Sequence, residues 1–196
     1  MPDKYFSNDD SKGFFSDPAI SKNKCSYLSK YQDVALRWEY VTSSNYSSNV
    51  VSNEEEVARL ILSPIHIDKE TGDIFPAAYE DVSNKGLSVN RLSMHKSKNT
   101  IHQIGEEKAN RDRERNPNRE YIGFAIASVN AIRSEVENSV RNFAVYDTAL
   151  EDITCHADVC LINQGPDPIA NLPPKAARMQ RRLKLKNIFN KFVDKN

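Results

Sequence analysis

Residues 59–92, RLILSPIHIDKETGDIFPAAYEDVSNKGLSVNRL, constrain this chain more than any other stretch, because its turn chemistry is concentrated there. Pro64 disfavours helical geometry at Ser63, so nothing helical runs past that point. DKETGD at 68–73 is a turn with Gly72 at its tip, and SNKG at 83–86 is a second turn. The pieces between these breaks are short. Ser52 followed by Glu55 has the spacing of a capping box, and Glu54, Glu55 and Glu56 suit the first turn of a helix. Val57, Leu60 and Ile61 then supply one apolar stripe, which predicts a helix from Ser52 that ends at Ser63. Ile74 to Tyr79 reads as a short strand with Pro76 at a sheet edge or strand start. Leu87 to Leu92 alternates as a strand and leaves Arg91 on the same face as Leu87 and Val89.

The remaining sequence extends this mixture of short helices and strands. Ala35 to Val41 reads as a strand or short helix, and Asn99 to Arg115 as a helix with Ile101 and Ile104 inward. Tyr121 to Ser134 is the most apolar segment and predicts a central strand that breaks near Ser128. Phe143 to Thr148 and Val159 to Ile162 supply further strands. With 196 residues, these elements predict one α+β domain with a mostly antiparallel sheet, two or three helices and a C-terminal amphipathic helix. The expected divisions are an N-terminal arm at 1–33, a core at 34–165, a proline-rich linker at 166–174 and a basic helix at 175–196. Three cysteines make a poor disulfide framework, and no apolar run approaches the roughly 20 residues of a membrane span. The N-terminus is polar and acidic, which points to a cytoplasmic protein with free thiols.

Four segments in fixed order, RLILSPIH at 59–66, PAAY at 76–79, LSVNR at 87–91 and HADV at 156–159, resemble a group of uncharacterised bacterial proteins of similar size. The resemblance spans about residues 50–162 and implies no activity. The arm and the tail lie outside it.

The residues themselves suggest a chemistry. His66 and His156 each head an H-x-D triplet, ending at Asp68 and Asp158. In extended backbone, residues two apart share a face, so each carboxylate can orient its imidazole. Two such histidines, with Arg91 as an anion clamp and Ser88 as a positioning hydroxyl, suit acid–base cleavage of a phosphoester or nucleotide. Enzymes with paired H-x-T/S motifs work in this way, although here the third position is Asp. This reading needs no metal and no cofactor. A rival reading gathers His66, Asp68, Cys155, His156, Asp158 and Cys160 as metal ligands, but no C-x-x-C or H-E-x-x-H spacing supports it. The plain alternatives are strand-end histidines bonded to backbone and a buried arginine paired with Glu80 or Asp81.

The tail offers a reading of a different class. Residues 175–196 hold eight Lys/Arg against Asp194, a net +7, and the preceding 174 residues carry −7. Leu185, Ile188, Phe189 and Phe192 form an apolar stripe among Arg181, Arg182, Lys184, Lys186 and Lys191. A non-catalytic protein docking a protein or nucleic-acid partner through 175–193, with Arg181, Arg182, Lys184, Lys186 and Phe189 in contact, is the alternative function. The counter-reading is a terminal helix that packs its stripe on its own domain.

Overall fold

The computed structural model describes residues 2–47, 49–95, 97–137, 139–163 and 174–195. The expected 166–174 linker lies outside the described residues except for Pro174. Within them the chain forms one α+β domain around a six-stranded antiparallel sheet.

Four short helices come first: α1 (Asp3–Ser7), α2 (Ser11–Ser16), α3 (Lys24–Lys30) and α4 (Gln32–Trp38). The strands and remaining helices are β1 (Glu56–Ser63), β2 (Leu87–Arg91), α5 (Lys98–Arg113), β3 (Glu120–Ser128), α6 (Val129–Arg133), β4 (Val136–Glu137), β5 (Val140–Arg141), β6 (Phe143–Asp147), β7 (His156–Leu161), α7 (Pro174–Ile188) and β8 (Lys191–Asp194). Strand order in the main sheet is β6-β7-β2-β1-β3-β8, and β4 with β5 makes a separate small hairpin. No helix among the described residues is long and apolar enough to cross a membrane.

The predicted helix ending at Ser63 is instead the central strand β1. Its capping residues do interact locally, since Ser52 N–H donates to Glu55 Oε1 at 2.8 Å. That bond closes a turn ahead of the strand. Every residue from Val57 to Ser63 is buried. The apolar run that satisfies helical spacing also satisfies a strand covered on both faces. The predicted strand at 74–79 is likewise corrected. Only Ile74 bridges, to Ile67, and Pro76–Ser83 forms a 3₁₀ segment with Pro76 in its first turn, where a missing N–H costs nothing. The expectations for β2, α5, β6 and the Ser128 break agree with the structure to within a residue or two. β7 starts at His156, earlier than expected, and it is not the last strand, since β8 follows in the tail.

The N-terminal arm is part of the domain. Phe6, Phe14 and Trp38 are buried, with Phe6 stacked on Trp38 at 4.9 Å and on Tyr31 at 4.2 Å. These irregularly spaced aromatics are shared among four separate helices, so no single period runs through them. The outer edge of β6 is closed by side chains. Val145 N–H donates to Glu39, Ser43 N–H donates to the Asp147 carbonyl, and Arg141 and Arg133 donate to the Phe143 and Val145 carbonyls.

Candidate functional site

The ladder between β1 and β2 contains only the pairs Val57–Arg91 and Ala58–Asn90. Beyond them β1 continues against β3, and β2 continues against β7. The two strands part, and the buried side chain of Arg59 fills the opening. Its Nε donates to the Ala78 carbonyl and its Nη1 to the Ser88 carbonyl, each at 3.0 Å. Among the described residues no carboxylate lies within 4.0 Å of this guanidinium. Burial pulls the Arg59 pKa below its ordinary value, against the more distant charge of Asp81. A buried cation held only by neutral carbonyls keeps an uncompensated charge.

Two adjoining cavities open at this point. The larger, about 460 Å³, is lined by Lys24, Arg59, His66, Ser88, His156 and Asp158 among others. The smaller, about 190 Å³, shares Arg59, Ser88, Lys108, Leu150 and His156 and adds Asn90 and Arg111. The β2–β7 register places Ser88 opposite Asp158 and Asn90 opposite His156, so all four share one face. Lys108 and Arg111 come from α5. That helix lies close to β3 because Gly105 has no side chain: a Cβ there would stand 2.3 Å from the Tyr121 ring. The wall opposite comes from the arm, through Phe15, Ser21 and Lys24.

His66 and His156 both line this cleft. The Leu62 N–H donates to His66 Nδ1 at 3.1 Å, so the neutral ring carries its proton on Nε2. Burial, followed by the charges of Arg59, Arg119 and Lys108, pushes the His66 pKa down to about 3. This ring is a neutral hydrogen-bond donor and cannot be the charged acid of a two-histidine pair at neutral pH. His156 is arranged the other way. Its Nδ1 lies 3.0 Å from the Thr148 carbonyl, which can only accept, so Nδ1 carries the proton and Nε2 presents its lone pair. Asp158 Oδ1 stands 3.9 Å from that Nε2. Asp158 in turn accepts from Lys24 at 2.7 Å, within a buried pair. Burial, the largest single influence, would raise Asp158, but the charge and hydrogen bond of Lys24 together with His156 and the Thr148 hydrogen bond outweigh it, and the carboxyl is held below its ordinary range.

The other expected site residues fall elsewhere. Asp68 does not orient His66, because residues 66–68 are not a strand. Its Oδ1 accepts from Glu70 N–H in a turn, and the residue lines a separate surface hollow. Arg91 is not an anion clamp in this cleft. It is 2% exposed, and Glu55 holds its Nε and Nη2 at 2.9 and 2.7 Å. Asp147 lies 3.5 Å from Nη1, and the Asn49 and Val50 carbonyls accept its remaining bonds. The paired-arginine alternative holds for this residue, with Glu55 and Asp147 as partners in place of Glu80 or Asp81. Arg59, and not Arg91, lines this cleft. It was legible as a charge inside an apolar run, but the run was read as a helix, which would have turned Arg59 outward.

Among the described residues no cluster of three or more His, Cys, Asp or Glu is placed to hold a metal ion. Cys155 donates to Asn90 Oδ1 at 3.4 Å, and burial pushes its thiol up to about 11. Cys25, Cys155 and Cys160 are all buried free thiols.

The tail follows the counter-reading. Leu185 and Phe189 are buried in the main core, with Phe189 against Tyr79 at 5.4 Å, so Phe189 has no face to offer a partner. Phe192 belongs to β8 and not to the helical stripe. Lys184 pairs with Glu135 at 2.8 Å and Glu137 at 3.3 Å, and Arg182 lies 3.8 Å from Glu80. Much of the basic charge of α7 thus answers acidic residues of its own domain.

No protein-family model matches the chain, and neither a curated protein nor a solved structure matches it.

Proposed function

We propose that this protein is an acid–base enzyme acting on a phosphoester or nucleotide, with its reaction centre in the cleft where β1 and β2 part. The observation that carries this reading is that His66 and His156 line one cleft together with the buried Arg59, which no carboxylate among the described residues meets within 4.0 Å. His156 Nε2 takes the proton from the attacking hydroxyl or water as its oxygen bonds phosphorus, the P–O bond to the ester oxygen breaks, and the leaving oxygen takes its proton from solvent; the proton received at Nε2 finds the Asp158 carboxylate 3.9 Å away. His66 donates from Nε2 to a phosphoryl oxygen as a neutral imidazole, a state suited to polarising and not to protonating. Arg59 meets the charge that develops on that oxygen, and Ser88, on the rim of both cavities, positions the ester.

The test is turnover of p-nitrophenyl phosphate, its bis-ester and a panel of nucleotides by the full chain and by His156→Ala. Loss of the general base is expected to lower turnover by about 10²–10⁴-fold with an unchanged melting temperature. Equal turnover by the variant, or none by the unmodified protein across the panel, removes the reading.

A further inference from the structure

Resting on that reading, we propose that the smaller cavity seats a terminal phosphate, so that the ligand is an organic phosphomonoester whose organic part fills the larger cavity. The two chambers differ in charge. The larger is balanced, with Lys24, Lys85 and Lys108 each beside a carboxylate, from Asp158, Asp81 and Asp112 respectively. The smaller is lined by Arg59, Lys108 and Arg111 and by no carboxylate. Of these cations, Lys108 has a carboxylate partner in Asp112, whereas Arg59 and Arg111 have none among the described residues. Two guanidiniums facing one small chamber suit the tetrahedral oxygens of a phosphate, which accept bidentate N–H pairs.

Charge separates a monoester from a diester. A terminal phosphate carries about −1.5 to −2 near neutral pH, and a diester carries a single charge. Only the former answers both arginines. Size points the same way. The inner chamber of about 190 Å³ is below the roughly 300–1,000 Å³ of whole-ligand sites, whereas the outer one of about 460 Å³ lies within that range. The outer lining combines Phe15, Leu62 and Ile65 with the acceptors Glu80 and Asp81, which suits a ring system bearing amino and hydroxyl donors. A nucleoside monophosphate has this composition. His156 lines both chambers, so the residue stands where the two parts of the ligand would join.

Calorimetric titration of the full chain with adenosine, adenosine monophosphate, cyclic adenosine monophosphate and inorganic phosphate tests this. The monophosphate is expected to bind at least about tenfold more tightly than adenosine or the cyclic diester. Arg111 is exposed and makes no ion pair among the described residues, so Arg111→Gln should leave the melting temperature unchanged. That variant should weaken the monophosphate and inorganic phosphate by roughly tenfold and leave adenosine unaffected. Equal binding of cyclic and terminal phosphates, or an Arg111→Gln variant indistinguishable from the parent, overturns the phosphate seat while leaving the cleft a binding site. Silence with all four probes overturns the seat and the proposed function together.

Discussion

Two buried arginines lie on neighbouring strands of the same sheet, and their surroundings differ in one respect. Arg91 on β2 is met by carboxylates from Glu55 and Asp147, with backbone carbonyls taking its other donors. Arg59 on β1 is met by two backbone carbonyls alone and borders both cavities. The first ties the loop before β1, strand β2 and the end of β6 into one knot, since Asp147 also accepts from Thr42. The second keeps a charge that no carboxylate among the described residues meets within 4.0 Å. Depth of burial does not separate the two, with 2% exposure for Arg91 and 8% for Arg59. The identity of the acceptors does.

If that distinction is right, removing each arginine has a different cost. Arg91→Met strands Glu55 and Asp147 as buried charges, and is expected to lower unfolding free energy by roughly 3–5 kcal/mol in urea titration. A loss below about 1 kcal/mol would erase the contrast.

Acid offers a second comparison, because the cleft and the knot titrate differently. The folded chain holds His66 neutral down to about pH 3, whereas the unfolded chain takes up that proton near 6.5. The unfolded state therefore binds more protons between these values. His66 contributes stability that is fully present above pH 6.5 and is lost as pH falls toward 3, on the order of 5 kcal/mol in all. Unfolding measured across this window should show that slope, and His66→Gln should flatten it. An unaltered slope in the variant would place the acid sensitivity elsewhere.

The smallest expected effect is that of Arg59→Met. It leaves the Ala78 and Ser88 carbonyls without donors, at about 1–3 kcal/mol, but relieves an uncompensated buried charge. The net stability loss should fall below about 2 kcal/mol, and any binding of phosphate should vanish. A loss as large as that of Arg91→Met would make Arg59 a structural residue and the comparison false.

How far the sequence reveals this architecture depends on where the information resides. Alternation identifies β2 because its two faces differ, as the buried Leu87 and Val89 against exposed Ser88 show. The most apolar segment, expected to be central, is the interior strand β3 beside the edge strand β8, and the middle of the sheet is β2 and β1. β1 misleads because VARLIL is apolar at both periods, and the turn at Ser52–Glu55 imitates a helix cap whose continuation is overridden by pairing with β3. His66 and His156 are legible as the heads of two H-x-D triplets, but only the second triplet lies in a strand, where its carboxylate shares a face with the ring. The switch from Arg91 to Arg59 was not legible, because it depends on where two strands separate. That separation belongs to the assembled sheet and not to any local window. The packing of the arm is hidden from local windows for a related reason: its aromatics meet across elements that contribute one or two each.

The closed edge of β6 has a consequence for how this chain behaves in a crowded solution. An open strand edge is a template on which another extended chain can grow. Here Glu39, Ser43, Arg133 and Arg141 already occupy the outward donors and acceptors that such a chain would need. The opposite edge, β8, is four residues long and carries Lys191 and Asp194. Fibrillar growth would have to begin on a short, charged strand at one side and finds the other side chemically saturated. The groups that finish this edge thereby take up hydrogen-bonding positions that an added strand would need.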